Sequence, residues 1–270
     1  MQGVSGTGTF LLAPVLEPKG DDQHRVLCSV SAVPGQWILE AGILTTGAVY
    51  RWLRNLLQNG LSAGDVGGVG KASTASVDNP YTLEDPYVLL DELAAVAPVG
   101  AGGVLVLPHL AGSAAPYWDS KAQGVIVGLQ LGTTVAHLAR GVLEGVALEV
   151  GKNLQVMASL MSQKLTEIRV SGGLTRSRLF NQIQADVYGL PVQPGRLEET
   201  SALGAAVLAA VAVGIYPDLS TAVTGMTGVL KSQRTWPRPA EQLQYQKLLR
   251  HHDAVYRALA DAGVYRGKET

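Results

Sequence analysis

Apolar positions along this 270-residue chain change period several times, and each change predicts an element. Residues 6 to 16 and 25 to 34 are rich in Val, Leu, Thr and Phe. The polar run Lys19-Gly20-Asp21-Asp22-Gln23 separates them, which predicts a hairpin. From Ile43 to Leu57 the spacing becomes helical, with Val49, Trp52, Leu53, Leu56 and Leu57 on one side. Glycines crowd residues 60 to 76 and predict a mobile loop. Thr82-Leu83-Glu84-Asp85 opens a helix running to about Ala97, and Gly103 to Leu107 is a short buried strand. Val135 to Met161 predicts a long helix with Leu138, Val142, Val146, Val150, Leu154 and Met157 on one face. Ile168 and Val170 form a strand, Arg178 to Tyr188 an amphipathic helix, and Pro191 to Gln193 another extended piece. An Ala-rich helix from Thr200 to Val213, whose small residues permit close packing, and a charged amphipathic helix from Arg238 to Ala260 close the chain. A β-rich start followed by alternating strands and helices predicts an α/β sheet, mixed and twisted, flanked by helices.

The strand at Ile168 and Val170 runs into its helix through Ser171-Gly172-Gly173-Leu174-Thr175-Arg176-Ser177. Paired glycines let backbone approach a ligand without Cβ clashes, and the N–H groups opening a helix suit a phosphate. Glycine turns recur at Gly6-Thr7-Gly8-Thr9 and at Thr45-Thr46-Gly47-Ala48, so three of them have the chemistry to converge on a polyphosphate. Gly70-Lys71 is no Walker A loop, because the glycine five positions earlier and a Ser or Thr directly after Lys71 are both missing.

Composition narrows the classes. Hydrophobic residues make up 47% and charged residues 16%, a folded globular composition. Lys plus Arg number 21 against 22 Asp plus Glu, so no bulk positive field favours nucleic acid or an anionic membrane. Apolar runs such as Leu203 to Val213 are too short to span a bilayer, and no secretory leader is visible, so a cytoplasmic location is expected. The single cysteine, Cys28, reads as a small core residue.

Six segments then stand in one order: SGTGTF, ILTTGAVYRWLRNLL, LPHLAGSAAPYWDSKAQGVIVGL, HLARGVLEGVALEV, SGGLTRSRLFNQIQADVYGLPV and ETSALGAAVLAAVAVGIY. From Gly6 to about Pro217 the chain resembles the C-terminal domain of the FGGY carbohydrate kinases, the family of glycerol, xylulose and gluconate kinases. The resemblance implies an actin-like ATPase (ribonuclease H-like) fold over residues 1–270. It also implies ATP with Mg²⁺ in a cleft between two domains, and a sugar or polyol held mostly by an N-terminal domain. It places Thr7 and Gly8 at the terminal phosphates, Gly47 in a second phosphate loop, and Gly172 and Gly173 at the inner phosphates and ribose. Ser177 falls at an adenine-side position occupied by Asn in glycerol kinases. Phe10 falls at an aromatic wall against the substrate, or in the core of the first hairpin. Asp119 of the Pro116-Tyr117-Trp118-Asp119 motif takes a turn or capping role. His109 and His137, with no carboxylate at ligand spacing, read as packing or surface residues, and Glu144 as solvated helix face. Arg176 and Arg178 either approach phosphates or face solvent.

The resemblance further implies a general-base Asp in a Gly-Asp motif about one hairpin upstream of Gly6, whereas the sequence starts at Met1. That Asp and the sugar-binding domain are therefore expected to be absent, leaving no catalytic residue and a chain inactive alone, since positioning and general-base help both contribute large factors. Two functions follow: the ATP-binding half of a sugar or polyol kinase, or a non-catalytic nucleotide-binding or interaction module of the same fold. The cleft-facing surface also leaves room for a homodimer.

Overall fold

The computed structural model describes residues 1–62 and 85–265. Most of the glycine-rich stretch and the Thr82–Glu84 helix opening lie outside these; Gly60 to Ser62 belong to a helix rather than to a loop.

Four strands come first: β1 (Gln2–Ser5), β2 (Thr9–Val15), β3 (Leu27–Val30) and β4 (Trp37–Ile43). They are followed by helices α1 (Gly47–Ser62) and α2 (Pro86–Val96), the short ribbon β5 (Leu105–Leu107) and β6 (Val125–Val127), and the long helix α3 (Val135–Leu160). Next come β7 (Ile168–Ser171), α4 (Arg178–Tyr188), β8 (Val192–Pro194), α5 (Thr200–Ala212), α6 (Leu219–Met226) and α7 (Pro239–Asp261). The main sheet has the order β3-β4-β2-β1-β7-β8. The pairs β1–β2, β2–β4 and β4–β3 are antiparallel, while β7 is parallel to both β1 and β8, so the sheet is mixed.

The expected hairpin between residues 6–16 and 25–34 does not form. β4, which the alternation of Trp37 to Ile43 left unread, lies between β2 and β3, and the tight turns instead join β1 to β2 and β3 to β4. Gly6-Thr7-Gly8 is therefore a hairpin turn and opens no helix. Ile43 ends β4, and α1 starts only at Gly47.

α3 passes through the middle of the molecule. Every residue from Ala139 to Leu154 is buried, where the periodicity alone suggested one apolar face. One side packs with α1, α2, α4 and α7 around Val49, Leu53, Leu90, Leu143, Phe180 and Tyr245. The other packs on the sheet with Leu11, Leu39, Ile168 and Val192. Gly145 allows α3 to touch β5, since a Cβ there would stand 2.2 Å from the Val106 carbonyl oxygen. The alanines of α5 pack less closely than expected, with only Val207 and Ala210 buried. Cys28 is half-buried on the edge strand β3.

Burial of α3 overturns the solvated reading of Glu144, which is 3% exposed. A carboxylate in that setting needs partners. Arg140 Nε donates to its Oε1 at 2.7 Å, the Tyr245 hydroxyl at 2.8 Å and the Gly100 N–H at 3.1 Å.

Candidate functional site

β1 and β7 are parallel neighbours, so their C-terminal ends lie side by side and deliver Gly6-Thr7-Gly8 and Gly172-Gly173 to the same edge of the sheet. α1 completes the arrangement. The Thr46 N–H donates to the Thr7 carbonyl at 2.9 Å, Gly47 to Gly6 at 3.1 Å and Ala48 to Thr7 at 3.2 Å. A Cβ on Gly47 would stand 2.3 Å from the Gly6 carbonyl oxygen, so glycine is what lets the helix start against the hairpin turn.

These contacts also change the expected chemistry. The first N–H groups of α1 are spent on Gly6 and Thr7, so Gly47 acts through the close approach of its backbone rather than as a donor. A side-chain donor also reaches the hairpin turn. Arg51, one turn along α1, reaches the Thr7 hydroxyl with Nη2 at 3.3 Å.

Gly172 has φ +95°, and a Cβ on it would lie 2.3 Å from the Ser5 carbonyl oxygen. It closes β7 against β1. Gly173, by contrast, has nothing within 4 Å of an added Cβ and faces open space. It begins a 3-10 turn, Gly173–Arg176, whose first N–H groups have no partner within the turn. Two side chains hold that turn: Thr175 donates to the Gly172 carbonyl at 2.7 Å, and Asn181 to the Thr175 carbonyl at 2.8 Å. Ser177 caps α4, accepting the Phe180 N–H at 3.0 Å.

A cavity of about 300 Å³ opens over these turns. Thr7, Gly47, Gly173 and Ser177 line it, so all three glycine turns meet there. Gly8 and Gly172 do not line it; both are turned against neighbouring carbonyls. Phe10 also lies elsewhere, 47% exposed on β2 with its ring against Gly42, which removes the core reading of that residue. The cavity wall includes Tyr50, Arg51, Tyr87, Val88 and Asp91, none of which the sequence reading singled out. Tyr50 and Arg51 sit one turn beyond Gly47, which was the available signal.

At the α2 end of the cavity, the Tyr50 hydroxyl donates to Asp91 Oδ1 at 2.8 Å. Burial raises the pKa of the Asp91 carboxyl from its ordinary value, opposed by the hydroxyls of Ser177 and Tyr50 and aided by the nearby charge of Asp85. Arg176 lines the cavity, but its guanidinium is turned to Glu198 in a two-bonded pair of 2.7 and 2.8 Å. That pair holds the Glu198 carboxyl below its ordinary value. Arg178 is exposed and lies away from the cavity.

The remaining candidates are structural. Asp119 accepts the Lys121 N–H at 2.9 Å, as a turn residue does, and the Tyr256 hydroxyl of α7 at 3.1 Å. His137 completes the capping box of α3 with Thr134. His109 is buried, and the fold brings Glu149, distant in sequence, to 3.6 Å from its Nε2.

The model of the C-terminal domain of the FGGY family of carbohydrate kinases matches residues 1–213. A glycerol kinase from Ralstonia nicotianae is 36% identical over 214 residues, covering 78% of this chain and 38% of the relative. A glycerol kinase from Dechloromonas aromatica is 34% identical over 258 residues, 94% of this chain and 46% of the relative. Among solved structures, a ligand-bound xylulose kinase from Lactobacillus acidophilus matches 96% of this chain and 47% of its own, with a TM-score of 0.79 at 25% identity. The mixed sheet flanked by helices is thus the actin-like ATPase fold of these sugar kinases. The chain belongs to the FGGY family of carbohydrate kinases and corresponds to their C-terminal domain. It spans less than half the length of the relatives it matches. Among the described residues no helix is long and apolar enough to cross a membrane.

Proposed function

We propose that this chain is the nucleotide-binding half of an ATP-dependent sugar or polyol kinase, with ATP over the three glycine turns and its phosphates toward Thr7, Gly47 and Gly173. The observation that carries the reading is the convergence of hairpin turn, α1 start and 3-10 turn on one cavity, in a chain of a carbohydrate-kinase family. Thr7 and Arg51 supply the hydroxyl and the cation, and Gly173 supplies space and a backbone donor. Phe10, away from this cavity, faces the acceptor side as a wall for the sugar.

Mg²⁺ suits the reading as an ion brought in on phosphate oxygens and water. Among the described residues no three His, Cys, Asp or Glu side chains gather as a metal cage, and Mg²⁺ commonly needs only one or two carboxylates beside phosphate. The acceptor hydroxyl and its general base belong, in this proposal, to the part of the relatives that these 270 residues do not match. Binding by the chain alone is then weak, because a cavity of about 300 Å³ encloses only part of a nucleoside triphosphate.

Titration calorimetry with Mg·ATP and with AMP tests the nucleotide assignment. Measurable ATP binding that exceeds AMP binding supports it; no heat with ATP overturns it. A coupled assay of ADP release over pentoses, hexonates and polyols tests the division of labour. Sugar-dependent turnover by this chain alone would place base and acceptor site within it and overturn that part.

A further inference from the structure

The cavity has two chemically distinct ends. Thr7 and Arg51 give one end a hydroxyl and a cation; Tyr87, Val88, Asp85 and Asp91 line the other, where Asp85 is engaged as the cap of α2 through the Tyr87 N–H at 3.0 Å and Asp91 is the half-buried carboxyl further along the helix. A nucleotide lying along it with phosphates at the first end brings its base to the second. We infer that Asp91 sets base specificity, its carboxylate accepting a hydrogen bond from the exocyclic amine of adenine. The inference rests on the nucleotide reading above and adds to it a residue that chooses the base.

The geometry favours an amine. Asp91 sits on the second turn of α2, behind the Pro86 start, so its position is fixed by the helix rather than by a loop. The Tyr50 hydroxyl holds Oδ1 at 2.8 Å, and Tyr50 is itself buried, so the carboxyl is oriented before any ligand arrives. A carboxylate has about four acceptor positions. The Tyr50 hydroxyl takes one of them, leaving room for a donor from the base. Asp91 is half-buried, and a desolvated carboxylate gains more from an added donor than an exposed one. Val88 and Leu174, both in the cavity wall, offer apolar surface for the faces of a planar ring. An oxo group in place of the amine would set oxygen against oxygen at Asp91, so the site rejects the analogue by repulsion as well as by a missing bond.

ATP and ITP share the phosphates and differ along one purine edge, amine and N1 acceptor in adenine against oxo and N1–H in hypoxanthine, so the change in their affinity ratio on substituting Asp91 reports on that residue. Calorimetry on the chain should give ATP an advantage of about tenfold, the size of one hydrogen bond to a charged group. Asp91→Asn, whose amide can turn its NH₂ to the oxo group, should bring the ratio within about twofold of one, chiefly by improving ITP. Asp91→Ala, with no polar group to reorient, should bring the ratio equally close by weakening ATP, and covers the case of an Asn variant that does not fold. Circular dichroism melts confirm folding of each protein titrated. An ATP-to-ITP ratio near one in the unmodified chain, or a ratio unchanged in the variants, overturns the role of Asp91 while leaving ATP binding intact. Absence of ATP binding to the unmodified chain overturns the nucleotide reading and this inference together.

Discussion

Arg51 reaches back from the first turns of α1 to the Thr7 hydroxyl of the β1–β2 turn, Nη2 to Oγ1 at 3.3 Å. The bond is long and exposed, and it joins the two elements whose backbones already meet at Gly6 and Gly47. A guanidinium held this loosely is free to exchange a hydroxyl for phosphate oxygens, which it binds with charge assistance. Arg51→Ala is expected to weaken ATP binding about tenfold and AMP binding much less, with little change in melting temperature. Calorimetry with both nucleotides checks it. Equal losses for ATP and AMP would mean that Arg51 does not face the outer phosphates.

The adjacent glycines Gly172 and Gly173 have opposite jobs, so substitutions at them should separate folding from binding. Gly172→Ala forces a side chain into positive φ and against the Ser5 carbonyl, and should destabilise by about 2 kcal/mol or more. Gly173→Asp has room for its side chain and should leave the melting temperature nearly unchanged, while placing a negative charge where phosphates are proposed. ATP affinity should fall at least tenfold in that variant. Paired melting and titration experiments decide. A Gly173→Asp protein that binds ATP normally would move the phosphate site elsewhere.

How much of this was legible in the sequence depended on whether a signal was local. The double glycine at 172–173 and the turns at Gly6 and Gly47 were visible because turn chemistry is short-range, and the helix of residues 135–161 because its apolar run is long. Strand pairing was not, since β2 and β3 are consecutive in sequence yet separated by β4, and only the register of Trp37 to Ile43 against both decides that. The division within the glycine pair was equally hidden. Gly172 and Gly173 look alike until Ser5 of a strand more than 160 residues away is placed behind one of them. Asp91 and Tyr50 meet at 2.8 Å from α2 and α1, and no spacing rule connects them. Glu144 misled because a charged residue on a helix is usually solvated, whereas α3 is enclosed on every side from Ala139 to Leu154.

That enclosure makes Glu144 a stability residue. Arg140 is buried beside it and also bonds the Ala97 carbonyl at 3.0 Å and the Tyr245 hydroxyl at 3.2 Å. Glu144→Ala leaves a buried guanidinium without its counter-charge, a loss of about 3 kcal/mol by analogy with broken buried pairs. Urea unfolding should show the midpoint shift with an unchanged slope. A loss below about 1 kcal/mol would show that water reaches Arg140 in the folded state.

Acid sensitivity should come from the other buried cluster on α3. Glu149 Oε2 stands 2.8 Å from Lys152 Nζ, 3.6 Å from His109 Nε2 and 3.8 Å from His252 Nδ1, and His252 Nε2 lies 3.0 Å from the Val106 carbonyl. Burial pushes both imidazoles below their ordinary value, His252 well below; Lys152 adds to the lowering at each, while Glu149 opposes it at His109 and the Val106 carbonyl opposes it at His252. Asp119 also acts to raise His109, and each neighbouring histidine to lower His252. A histidine whose folded pKa is depressed binds its proton more readily in the unfolded chain, so acid favours unfolding. The stability these groups contribute is complete above about pH 6.5, the unfolded value, and is lost as pH falls through the folded values. The melting temperature should therefore be nearly level from pH 8 to about 6.5 and decline steadily from there to about pH 5, before most carboxylates titrate. His252→Asn should lower the plateau but flatten the decline, because the strongly shifted proton site is gone. A melting temperature level down to pH 5 in the unmodified chain, or an equally steep decline in the variant, would assign the acid response to other groups.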